Sequence, residues 1–203
     1  MRHVFSIFLT VALFSALLFA PVDGVWAQSG DTGEKGDEAE IRSDSEAINS
    51  LLNRLQETDD PDIASFLEET ILRAWRESGS DTINLLMSRT VDAMRRDDLP
   101  LALDFSNAIV DLAPDYAEGW NKRATILYLL RDYQHSIQDV ERTLELEPRH
   151  FGALSGLGLI LLEYGNKQGA LRAFRRALEV HPFLENARQS ADRLELEVEG
   201  QGI

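Results

Sequence analysis

The chain has 203 residues, enough for one domain with a substantial core. Its 35 Asp+Glu against 20 Lys+Arg give a formal charge of -15, which repels nucleic acid and argues against a DNA or RNA partner. Cysteine is absent, which excludes a disulfide framework, a thiolate nucleophile, Cys-ligated zinc and a lipid anchor on an N-terminal Cys.

Residues 1–27 read as a secretory signal peptide. Arg2 and His3 precede an apolar run from Val4 to Ala20, Pro21 breaks it, and Val25-Trp26-Ala27 forms a small-x-small cleavage site before Gln28. The alternative is an uncleaved N-terminus that anchors the chain in the inner membrane. Cleavage after Ala27 would leave an exported protein, periplasmic in a bacterium, with no stable membrane insertion. Residues 28–42 are Gly-rich and charged, without enough apolar surface to offset ordering, and are expected to form a disordered acidic linker.

Residues 43–79 read as a helical pair. Ser43-x-x-Glu46 is a capping box before a stripe of Ile48, Leu51, Leu52 and Leu55. Pro61 suits the first turn of a second helix. Its apolar positions are Ile63, Phe66, Leu67, Ile71, Ala74 and Trp75, and Ser78-Gly79 ends it. The pair is expected to be a degenerate repeat or a cap over the first full repeat.

From residue 80 the chain repeats. Leu154-x2-Leu157-Gly158-x2-Leu161, then Ala170-x3-Phe174-x2-Ala177, then Pro182 places large, small and helix-stopping residues at fixed offsets. Gly158 and Ala170 let two helices approach, Leu157, Leu161, Phe174 and Ala177 fill the seam, and Pro182 stops the second helix. One period earlier stand Trp120, Ala124, Ser136, Val140, Thr143 and Pro148; two periods earlier stand Leu86, Thr90, Ala102, Ser106, Ile109 and Pro114. The pattern resembles the tetratricopeptide (TPR) family, whose period is roughly 34 residues.

The repeats fall at 83–116, 117–150 and 151–182. Their helices are expected near 81–96 and 99–112, near 116–130 and 133–146, and near 150–164 and 167–180. Asp115-x-x-Glu118 reads as a capping box at the start of the second repeat. Residues 183–199 form a last helix, with Leu184, Ala187, Ala191, Leu194 and Val198 covering the final repeat and charged residues facing water. The resemblance implies an all-α fold, a right-handed α-α superhelix or TPR solenoid, with an N-terminal helical pair and a C-terminal capping helix.

No constellation points to catalysis, a cofactor or a metal. His135, His150 and His181 lack the i, i+4 spacing of paired ligands and read as solvated or capping residues. An enzyme acting on envelope polymers is therefore disfavoured. The resemblance implies instead that a protein or peptide segment binds the concave groove, lined by the first helix of each repeat. The candidates carried over are Asn84, Met87, Val91, Met94 and Arg95, then Glu118, Asn121, Thr125, Tyr128 and Leu129, then Gly152, Ser155, Leu159, Leu162 and Glu163. Asn84 and Asn121 are expected to hold a peptide backbone. TPR domains that clamp a chaperone's C-terminal carboxylate resemble one another in carrying Lys and Asn along the first groove helix and Lys and Arg along the third, where this chain has Met87 and Val91, and Gly152 and Gly156. Terminal segments could fill this groove themselves. A homo-oligomer, joined through Phe66, Trp75 or the last helix, is the second expectation.

Overall fold

The computed structural model describes residues 33–198 and residue 200. The proposed signal peptide, residues 28–32 of the linker and residues 201–203 lie outside them. The described residues form helices and turns, with no strand among them. The helices are α1 (Gly33–Glu57), α2 (Pro61–Arg76), α3 (Asp81–Arg95), α4 (Leu99–Leu112), α5 (Ala117–Leu129), α6 (Tyr133–Leu146), α7 (Phe151–Glu163), α8 (Lys167–Val180) and α9 (Glu185–Val198). From α3 onward they follow the sequence reading closely. The chain divides into two compact units, Met1–Glu40 and Ile41–Ile203; among the described residues the first holds only the opening turns of α1.

Two expectations at the N-terminus need correction. Residues 33–42 are helical, so Ser43 lies inside α1 rather than at its N-terminus. Glu34, Lys35, Glu38, Ala39 and Glu40 are residue types with high helix propensity. The buried face of α2 is also rotated. It consists of Ala64, Leu67, Ile71 and Trp75, while Ile63 and Phe66 remain 45% and 62% exposed.

Each repeat is built by the same turn. At Asp97, Arg131 and Gly165, one period apart, the backbone adopts a left-handed φ of 59°, 62° and 70°. The next residue, Asp98, Asp132 or Asn166, sends its N–H back to the carbonyl of Ala93, Leu127 or Leu161. Its side chain then caps the following helix on the N–H of Leu101, His135 or Gly169. One local device thus sets every hairpin.

The seams between helices are held differently. Arg123 of α5 grips Asp139 of α6 through two bonds of 2.7 Å, and also reaches Asn107 of α4 at 3.2 Å. Asp139 is almost fully buried, so the fork replaces lost hydration and ties the first repeat to the second. In the third repeat Gly158 lies against the Phe174 ring, where a Cβ would come within 2.6 Å of it.

The N-terminal pair does not cap the first repeat. Leu52 and Leu55 of α1 and Ala64, Leu67, Ile71 and Trp75 of α2 share a core with Phe151, Leu154, Phe174 and Leu194, from α7, α8 and α9. The first repeat keeps its own small cluster of Ile83, Met87 and Ile109. Local patterning showed the apolar stripes but not the surface that receives them.

Candidate interaction site

α2 lies along the starts of the three helices α5, α7 and α9. Tyr116, just before α5, donates its hydroxyl to the Arg76 carbonyl at 2.8 Å. His150, just before α7, stacks on Trp75 with ring centroids 4.2 Å apart and planes 12° from parallel. His181, just before α9, meets Glu68 at 3.1 Å. Arg149 adds bonds to Asn53 and Gln56 of α1. The N-terminal pair therefore fills one side of the face formed by the first helices of the repeats.

Beneath this contact is a buried polar cluster. His150 caps α7 by accepting the Ala153 N–H on Nδ1 at 3.1 Å, which leaves the proton on Nε2. That Nε2–H donates to Glu118, 3.1 Å away. Lys122 at 2.9 Å and the Asn121 amide at 2.7 Å complete the set. Burial pushes the Glu118 carboxyl up, but His150 and Lys122 outweigh it and hold the group at about 2, against an ordinary 4.5. Glu118 is consequently a structural carboxylate rather than a groove residue, and the capping box expected at Asp115 and Glu118 does not form: Tyr116 is the N-cap, without a side-chain cap.

Other candidates are also committed elsewhere. Met87 is buried with Ile83 and Ile109. Asn84 accepts from the Ser78 backbone and hydroxyl and donates to Glu77, so it fixes the turn before α3 instead of holding a peptide. Val91 and Met94 are half-buried against first-repeat clusters, and Arg95 pairs with Asp92. Leu162 packs on the large core, Leu129 is exposed on α5, and Glu163 sits exposed at the end of α7. The oligomer expectation loses Trp75, which is buried, but keeps Phe66. His150 and His181 are each 1% exposed, so neither is solvated, and of the two expected roles His150 takes the capping one.

The remaining candidates come together. A cavity of about 330 Å³ opens between α5 and α7, lined by Asn121, Thr125, Tyr128, Gly152, Ser155 and Leu159. The sequence reading placed Gly156 of α7 on this face only as a missing clamp residue, and it missed the other walls: Glu68 and Leu72 of α2, Leu184 and Asn186 around the start of α9, and Val140 and Ile160. Among the described residues this lining contains neither Lys nor Arg. The Ser155 hydroxyl, 4% exposed, has no hydrogen-bond partner. Burial, then the Glu163 carboxylate nearby, raises the Tyr128 phenol above its usual range. The arrangement suits an uncharged or cationic apolar group and is unsuited to an anion. Among the described residues no cluster of His, Asp and Glu could hold a metal, and no helix is long and apolar enough to cross a membrane.

A helical-repeat solenoid with a partly filled inner face is the class this fold defines. No family model matches the chain. A TPR repeat-containing protein of Rhizobium etli is 41% identical over 152 residues, covering 75% of this chain and 74% of that protein. The chain belongs to the TPR repeat family. The small glutamine-rich tetratricopeptide repeat-containing protein 2 of Saccharomyces cerevisiae is 25% identical over 128 residues, 63% of this chain and only 37% of that protein. Among solved structures, the first TPR of Spaghetti (RPAP3) bound to an HSP90 peptide superposes with a TM-score of 0.56 at 16% identity, over 58% of this chain and 93% of that one.

Proposed function

We propose that the protein is a non-catalytic interaction module, an exported TPR adaptor that holds a segment of a partner protein against α5 and α7. The observation that carries this reading is the open apolar cavity between two first helices, on a face that α2 covers on one side. The solved TPR bound to an HSP90 peptide supports it as an example of the same fold engaging a peptide. That peptide, SRMEEVD, is acidic, whereas this cavity offers no cation, so a different class of segment is favoured here.

The export half of the proposal rests on residues 1–27, and sequencing the mature N-terminus tests it: the first residue should be Gln28. The binding half is tested by photo-crosslinking in the intact cell. A crosslinker at Thr125 should trap a discrete partner that one at Arg172, exposed on α8, does not. Tyr128→Glu should abolish the adduct. Equal adducts from both positions, or one indifferent to Tyr128→Glu, would overturn the reading. A self-associating subunit is the second reading, favoured by Phe66 at 62% exposure on the outer side of α2. Sedimentation of wild type and Phe66→Lys at micromolar concentration separates it, since a monomer in both removes it.

A further inference from the structure

Three glycines on α7 stand in different surroundings. A Cβ on Gly158 would lie 2.6–2.8 Å from the Phe174 ring, so close packing demands glycine there. A Cβ on Gly156 would meet nothing within 4 Å, and one on Gly152 only the His150 ring. Glycine weakens a helix interior, and at Gly156 no neighbour requires it. What its missing side chain leaves behind is space, because Gly156 and Gly152 both line the cavity between α5 and α7. Ser155, whose hydroxyl is buried and unpartnered, lies between them and also lines the cavity.

We propose that this cavity is a socket for one bulky apolar side chain, presented by an internal, extended and positively flanked segment of a partner protein, and that Gly156 keeps the socket open. This rests on the interaction-module reading above. Size selects the ligand. At about 330 Å³ the space is at the lower limit for a small-molecule site, generous for one large side chain, and too small for a helix of roughly 10 Å diameter. α2 closes one side, through Leu72 and Glu68, so a helix cannot lie along the face either. Charge selects the flanks. Among the described residues the lining holds one carboxylate, Glu68, and neither Lys nor Arg, and the whole chain carries -15. A terminal carboxylate would find no cation, whereas Lys or Arg beside the anchor would be attracted. The Asn121 side chain, whose amide nitrogen donates to Glu118, turns its carbonyl oxygen to the segment's backbone as an acceptor.

The probes are two blocked peptides, acetyl-Gly-Lys-Phe-Lys-Gly-amide and its counterpart with Ala for Phe. They are titrated into the purified, 15N-labelled protein while backbone amides are followed by NMR. The Phe peptide should shift the amides of Gly152, Ser155 and Gly156 in a saturable way, and the Ala peptide should bind about tenfold more weakly or worse. Gly156→Leu fills the socket from within; it should keep the helical signal and melting temperature and lower Phe-peptide affinity at least about tenfold. Should that variant unfold, Gly156→Phe in a chain also carrying Leu159→Ala restores room and serves the same end. Equal binding of the two peptides, or undiminished binding by a folded filled variant, overturns the socket. Shifts confined to Leu129 and Arg95, with the α7 amides still, would overturn the socket and leave the groove reading standing. No shift anywhere at millimolar peptide also overturns it, and the crosslinking at Thr125 then decides the groove reading by itself.

Discussion

The first and third repeats share a fold and a register but solve the same packing problem with different volumes. At equivalent positions the first helices carry Thr90, Ala124 and Gly158, while the second helices carry Ser106, Val140 and Phe174, all buried. As the residue on one helix shrinks, its counterpart grows. The third repeat, where the exchange ends in Gly and Phe, anchors a core extending into α1, α2 and α9. In the first, Thr90 and Ser106 spend their hydroxyls on the Leu86 and Leu103 carbonyls, and the apolar cluster stays small. Leu85 and Leu112, 57% and 64% exposed, mark it as the weak end of the array. Amides of α3 and α4 should therefore exchange with solvent faster than those of α7 and α8, and equal protection would refute that polarity.

The largest effect should come from breaking the strong end. Phe174→Ala removes a ring with no exposure from the shared core and should cost about 3–5 kcal/mol in urea denaturation. Met87→Ala in the first repeat should cost about 2 kcal/mol, its cluster having fewer members to lose. A reversed order would mean that the first repeat, not the third, carries the array.

Glu118 is the next largest and has a pH signature. Its carboxyl is held at about 2, below an ordinary 4.5, so its contribution is fully present above pH 4.5 and is lost as pH falls towards 2. Glu118→Gln should cost about 3 kcal/mol at pH 7, and the gap to wild type should narrow steadily between pH 4.5 and 2. A gap that does not vary with pH would show that the carboxylate's charge is not what His150 and Lys122 stabilise.

The exchange of volumes can be sharpened by a double-mutant cycle. Gly158→Ala alone should cost about 1–3 kcal/mol by clashing with Phe174. Joined to Phe174→Val, which copies the Ala124 and Val140 pair of the second repeat, it should cost clearly less than the two changes summed. Strict additivity would show that these positions do not sense each other. Gly156→Ala, with open space at its Cβ, should be neutral or stabilising by up to about 1 kcal/mol.

Much of this was legible in the sequence, because its causes are local. Pro114, Pro148 and Pro182 marked the repeat ends, and apolar spacing placed α3 to α9 within a residue or two. The binding face was only half legible. Asn121, Thr125, Tyr128, Gly152, Ser155 and Leu159 came from register, but Leu72, Glu68 and Leu184 did not. The bonds joining His181 to Glu68 and Arg149 to Asn53 span 113 and 96 residues, and no periodic signal reports a pairing of that separation. Met87, Asn84 and Glu118 were misplaced for a related reason: register says which way a residue faces, not what already occupies that side.

The smallest effect concerns the turns, where the three repeats differ only in who bears the strain. Asp97, Arg131 and Gly165 hold the same left-handed backbone, at φ values of 59°, 62° and 70°, yet only the third is glycine. For a residue with a Cβ that conformation costs about 1 kcal/mol, partly offset because glycine loses more freedom on folding. Arg131 is exposed, and the hairpin bonds around it run from backbone N–H groups that glycine would keep. Arg131→Gly should therefore raise stability by about 0.5–1 kcal/mol, and Asp97→Gly by a similar amount. The reverse change, Gly165→Arg, should lower it by as much. If thermal denaturation showed no gain at Arg131 and no loss at Gly165, side chains in these turns would have to be supplying contacts that compensate for their backbone, and the three hairpins would not be equivalent after all.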